Sequence, residues 1–99
     1  MKVRWLEEAR NDLREIRDYI AKRNPAAARE LAVDFRAARD RIKRYPEMQP
    51  IGDIPGTREL VVRRYRCTMV YRIKADLVEI VWVFGPGQDR FGRAKDDPR

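Results

Sequence analysis

Histidine is absent from this 99-residue sequence, and cysteine occurs once, as Cys67. Without histidine, neither a Ser-His nor a Cys-His catalytic pair can be assembled, and no imidazole can ligate a metal. A lone cysteine excludes an intramolecular disulfide and a cysteine-built zinc site. In its apolar and basic surroundings, Cys67 reads as a half-buried strand thiol. Long apolar runs are also missing, so nothing spans a membrane. The opening Met1-Lys2-Val3-Arg4-Trp5 lacks the apolar stretch of a signal peptide. The expectation is a cytoplasmic protein with no membrane partner, no metal and no cofactor.

What is present fits one small domain. Two tryptophans, four tyrosines and three phenylalanines, with many aliphatics, supply one core. Charged residues make up 39% of the chain but are mixed in sign along most of it, which is not the composition of a disordered tail. Lysine and arginine outnumber the acids by 23 to 16, giving a formal charge of +7. Such a surface favours polyanionic partners: nucleic acid, an anionic membrane or an acidic protein segment.

Periodicity organises the chain. Val3 to Leu6 reads as a short strand, and a helix follows from Glu7 or Glu8, whose carboxylates suit the positive end of a helix dipole. Ala9, Leu13, Ile16 and Ile20 share one helical face, which predicts an amphipathic helix to about Lys22. Asn24-Pro25 marks a new helix start, since Asn caps and Pro is tolerated at the first position. Ala26 to Arg44 follows with the stripe Ala28, Leu31, Ala32, Phe35, Ala38 and Ile42. So short a link predicts an antiparallel helical hairpin.

Tyr45-Pro46 ends the second helix, and the stretch to Thr57, rich in proline and glycine, reads as an ordered loop. The period then becomes two. Arg58 to Tyr65, Arg66 to Lys74 and Leu77 to Phe84 are strand candidates, with Ala75-Asp76 as a tight turn. Leu77 to Phe84 is apolar on nearly both faces, as an inner strand should be. The predicted class is α+β: an N-terminal strand and a helical hairpin on a small antiparallel sheet, in the order β-α-α-β-β-β. Residues 1–87 form the domain; residues 88–99 read as a polar, loose tail.

The densest charge lies at Arg58, Arg63, Arg64, Arg66, Arg72 and Lys74, opposed only by Glu59, with Tyr65 and Tyr71 among them. Three readings stay open for it. The charges keep strand edges from pairing, or they contact a protein, or they hold phosphates and stabilise charge developing on RNA. Trp5, Trp82 and Phe84 read as core or as interface anchors. In the tail, Arg90 and Arg93 flank Phe91 as a small recognition patch.

Several strings resemble a known family when taken in order. They are Val3-Arg4-Trp5 with Glu8-Ala9 and Asp12-Leu13-Arg14-Glu15-Ile16; Asn24-Pro25-Ala26-Ala27-Ala28; Tyr45-Pro46; Gly56-Thr57-Arg58-Glu59-Leu60; and Val70-Tyr71-Arg72-Ile73. Over residues 1–84 the chain resembles the RelE/ParE superfamily of toxins from type II toxin–antitoxin, or plasmid stabilisation, modules. The Asn-Pro junction and the Gly-Thr-Arg-Glu-Leu string look more like the ParE branch. That resemblance implies a bacterial toxin that poisons DNA gyrase, without hydrolytic chemistry, and a cognate acidic, ParD-like antitoxin that wraps it. The RelE branch would instead imply cleavage of ribosome-bound mRNA, and a homologue that only binds antitoxin is the third reading. Ribonuclease members carry an arginine where this chain has Cys67 or Thr68, and a basic pair near Pro86-Gly87-Gln88. A histidine common in both branches is replaced in the Phe84-Gly85 region. No catalytic residue is therefore assigned. Arg58, Arg63, Arg64, Arg66, Arg72, Arg90, Phe91 and Arg93 are the target-binding candidates, with Arg58 and Arg72 first. Trp5, Tyr65, Tyr71, Trp82 and Phe84 are the antitoxin-binding candidates.

Overall fold

One residue makes the helical hairpin. Asn24 closes the first helix by donating its N–H to the Ile20 carbonyl at 2.8 Å. Its side chain then opens the second by accepting the Ala27 N–H at 3.1 Å. Pro25 follows at the first helical position, where no N–H is required. Glu7 and Glu8 lie in the first turn of the first helix and Lys22 and Arg23 in its last, each complementing the helix dipole.

In the computed structural model, which describes residues 1–85, the elements are β1 (Lys2–Trp5), α1 (Glu7–Arg23), α2 (Pro25–Arg44), β2 (Arg58–Val62), β3 (Cys67–Lys74) and β4 (Leu77–Phe84). The sheet order is β1-β4-β3-β2. As its composition requires, β4 is an inner strand. The β3–β4 and β2–β3 pairs are antiparallel, but β1 lies parallel to β4, so the sheet is mixed rather than wholly antiparallel.

Two local features depart from the alternation of the sequence. Arg63–Tyr65 is a 3-10 turn instead of the end of a strand. Val62 and Cys67 are the last partners on β2 and β3, so the four residues between them must reverse the chain. Arg66 completes that reversal in the left-handed region, at φ 54°. The second departure is a bulge in β4. Val70 pairs with Trp82 and Tyr71 with Ile80, which leaves Val81 as the extra residue. Before the bulge, Val78 and Ile80 face the helices; after it, Val83 does. Val81, Trp82 and Phe84 belong to a separate cluster with Val70 and Ile54.

The main core lies between the hairpin and the sheet, built from Leu31, Phe35 and Ile42 against Leu60, Met69, Tyr71, Val78 and Ile80. Cys67 joins it with 1% exposure. The helical face is further anchored by polar contacts to β4. β1 covers the outer edge of β4 only as far as Ile80. Beyond it, the Val83 N–H donates to Asp12 of α1 at 2.9 Å, and the Trp82 indole donates to Glu8 at 3.0 Å.

Asn24→Ala removes the side-chain cap and should lower unfolding free energy by about 1 kcal/mol, read from urea denaturation; an unchanged midpoint would contradict the capping role. Asp12→Ala leaves a strand N–H without this acceptor and should cost about 2 kcal/mol by the same measurement.

Candidate functional site

The two arginines favoured from sequence are engaged within the protein. Arg58, at the start of β2, donates through Nη1 to the carbonyls of Glu47 at 3.1 Å and Gln49 at 2.8 Å. It clamps the loop after α2 onto the sheet edge. Arg72 lies on the sheet face away from the helices and donates through Nε to Glu79 at 2.8 Å. That hydrogen bond is the main reason the Glu79 carboxyl titrates below its ordinary value; burial opposes the shift.

Arg63, Arg64 and Arg66 cluster on the 3-10 turn and stay exposed. Arg64 forms an ion pair with Glu30 and a longer one with Asp34 at 3.6 Å, both from α2, and its guanidinium lies over the Tyr65 ring. The basic run is therefore dispersed over a loop clamp, a sheet face and a turn. Arg90, Phe91 and Arg93 lie outside the described residues.

Among the aromatic candidates, Tyr71 is fully buried and donates its hydroxyl to the Pro46 carbonyl at 2.5 Å. Burial pushes its pKa up to about 12. Trp82 and Phe84 are buried side by side in the second cluster. Tyr65 is half-buried; its hydroxyl donates to the Ala27 carbonyl at 3.3 Å, and desolvation is the main cause raising its pKa. Trp5 is half-buried against the main core.

Among the described residues, three of the surface grooves combine apolar side chains with charge. The first, of about 350 Å³, runs between the helices, with Trp5, Leu13, Leu31 and Ala32 along its floor and Arg10, Arg14 and Arg17 along its rim. These arginines recur at spacings of four and three on one flank of α1. That spacing is visible in the sequence; only their placement beside an apolar floor is not. The second, of about 420 Å³, lies on the other flank of α1, where Asp12 and Glu15 edge a wall of Ile16, Ile20, Cys67 and Val83. The third follows β2, the outer strand, past Arg41, Leu60, Val61 and Arg63. Glu59 donates its N–H outward to Pro50. By ladder alternation, the next outward-facing backbone belongs to Val61, whose side chain is 54% exposed.

Comparison with known proteins converges on one family. Over 86% of this chain and 95% of the other, the fold matches a chain of the solved "Chromosomal ParDE TA system from P. aeruginosa", with a TM-score of 0.71 and 21% identity. The provisionally named toxin Y4kP of Sinorhizobium fredii is 38% identical over 82 residues, covering 83% of this chain and 84% of its own. Toxin RelE2 of Caulobacter vibrioides is 39% identical over 79 residues, covering 80% and 88%. These relatives and the shared fold identify the chain as a small α+β toxin of the RelE/ParE superfamily. The model of the ParE toxin of type II toxin-antitoxin system, parDE, matches residues 3–91, and the chain belongs to that family.

Because the Glu79 pKa is depressed in the folded chain, its ionised form stabilises the fold above the ordinary glutamate range. That contribution is lost as pH falls through the lower, folded-state value. Wild type should therefore lose stability to acid more steeply than Glu79→Gln, read as denaturation midpoints at about pH 7 and about pH 3. Parallel pH profiles would remove the pair from this role.

Proposed function

We propose that the chain inhibits DNA gyrase by binding it, and that a cognate acidic antitoxin of the ParD kind neutralises it in the cytoplasm. The observation that carries this reading is the internal use of Arg58 and Arg72, the two arginines favoured from sequence. Arg58 is held by two loop carbonyls and Arg72 by Glu79. A ribonuclease would need such groups free to meet charge developing on phosphate. The Tyr71 hydroxyl, with its pKa at about 12 and its proton given to a carbonyl, is poorly suited to acid–base work near neutral pH.

Membership of the ParE family supports the gyrase target. The fold neighbour comes from a ParDE toxin–antitoxin system, which supports an antitoxin partner. The arginine-rimmed groove between the helices offers an acidic, amphipathic segment both charge and apolar floor. A second reading, cleavage of ribosome-bound mRNA, draws on the likeness to the Caulobacter toxin RelE2.

Purified protein added to a gyrase supercoiling reaction should leave cleaved DNA complexes, and an equimolar antitoxin should prevent them. Undisturbed supercoiling at large excess would defeat the proposal. Codon-phased cuts in primer extension after induction would favour the second reading, and harmless expression without antitoxin would favour a homologue that retains only antitoxin binding.

A further inference from the structure

The outer face of α2 carries a line of cations, of which only Lys43 and Arg44, in the last turn, serve the fold by complementing the helix dipole. Arg29, Arg36, Lys43 and Arg44 are all exposed. At 100° per residue they fall within a sector of roughly 100°, opposite the buried stripe of Leu31, Phe35, Ala38 and Ile42. Among the described residues, none of the four makes an ion pair or a side-chain hydrogen bond. Asp40, the acid in that sector, is already engaged by Arg39 at 2.9 Å. Several cations elsewhere do have partners: Arg64 has Glu30 and Asp34, Arg72 has Glu79, and Arg58 has two carbonyls.

We propose, independently of the gyrase reading, that this face of α2 binds the phosphate backbone of duplex DNA without reading its sequence. Arg29, Arg36 and Lys43 recur every seven residues, which places successive charges roughly 10 Å apart and spreads the line over roughly 21 Å. A duplex presents about twelve phosphate charges over that length. The chemistry of the sector selects this occupant over the others. An acidic amphipathic peptide needs an apolar floor, which the inter-helix groove has and this sector lacks; Val33 is its one large apolar side chain. A single strand is held by stacking its bases on aromatic rings, and no ring lies in the sector. What remains is charge in a straight, rigid line, which suits a regular polyanion.

The test measures binding of the full chain to a 20-base-pair duplex by fluorescence anisotropy over a salt series. Four phosphate contacts predict a log–log salt slope of about −3.6, and an affinity loss on the order of 100-fold between 50 and 200 mM salt. R29Q/R36Q/K43Q/R44Q keeps helix-forming side chains; with an unchanged far-UV spectrum it should flatten the slope and weaken binding at least about tenfold at 50 mM. R29K/R36K/R44K, which keeps the charge, should retain the slope. Three results would overturn the proposal. The glutamine variant could keep the wild-type slope. A control pair on the 3-10 turn, R63Q/R66Q, could flatten it equally, making net charge alone responsible. Or poly-glutamate at matched charge could displace the duplex, identifying the face as a site for acidic protein.

Discussion

The strand β4 is apolar on both faces apart from Glu79, and central in the sheet, so both of its edges must be satisfied. β3 covers one edge along nearly the whole strand. β1 covers the other only through Ile80. Past that point α1 takes over: Asp12 accepts the Val83 N–H, and Glu8 accepts the Trp82 indole N–H. Backbone polarity in a buried strand is too costly to leave unmet, and this requirement fixes the rotation of α1 over the sheet. Once its acidic flank is turned down toward β4, its arginine flank, Arg10, Arg14 and Arg17, turns toward α2 and rims the groove there. The arginine-rimmed groove is thus a consequence of how one strand edge is closed.

The same economy governs the charges. A cation near the interior is tolerable only with a partner, and Arg58 and Arg72 each have one. The excess of +7 is therefore pushed outward. It collects on the hairpin and on the turn between β2 and β3, while on the sheet face Arg72, Lys74 and Arg4 lie near enough to Glu79 to lower its pKa. For a protein that meets an acidic partner, this has a kinetic benefit: exposed charge steers encounter, while pairs held inside contribute little to it.

Much of the architecture is legible without coordinates because it rests on period. Ala9, Leu13, Ile16 and Ile20 recur as a helix demands, Asn24-Pro25 has the chemistry of a helix junction, and the apolar run of β4, interrupted only by Glu79, has no solvent face to alternate toward. The site is less legible, and each reason is physical. Nothing in the string Leu77 to Phe84 announces that Val81 is the bulged residue, because every neighbour is apolar and either register buries apolar atoms. Charge density counts arginines but not their acceptors. Glu79 reaches Arg72 through hairpin register, and the acceptors of Arg58 are backbone carbonyls, which have no residue identity. The parallel pairing of β1 with β4 joins segments more than seventy positions apart, beyond the reach of local pattern.

Burial also constrains where an antitoxin can gain its affinity. Apolar area contributes only once: a side chain already removed from water in the free toxin has little left to gain from a partner. Tyr71, Trp82 and Phe84 are in that state, so they can shape a surface but cannot supply much of its free energy. The area still available lies elsewhere, at Val61 on the outer strand, at Met48 and Ile51 in the clamped loop, each more than half exposed, and along the floor of the inter-helix groove. Arg41 and Arg63 flank Val61, and Arg10, Arg14 and Arg17 rim the groove. At both places cations stand beside apolar surface, the complement of a chain segment that mixes acids with aliphatics. Such a segment has little reason to fold alone, since its charge resists collapse, and it acquires order where both halves of its composition are met.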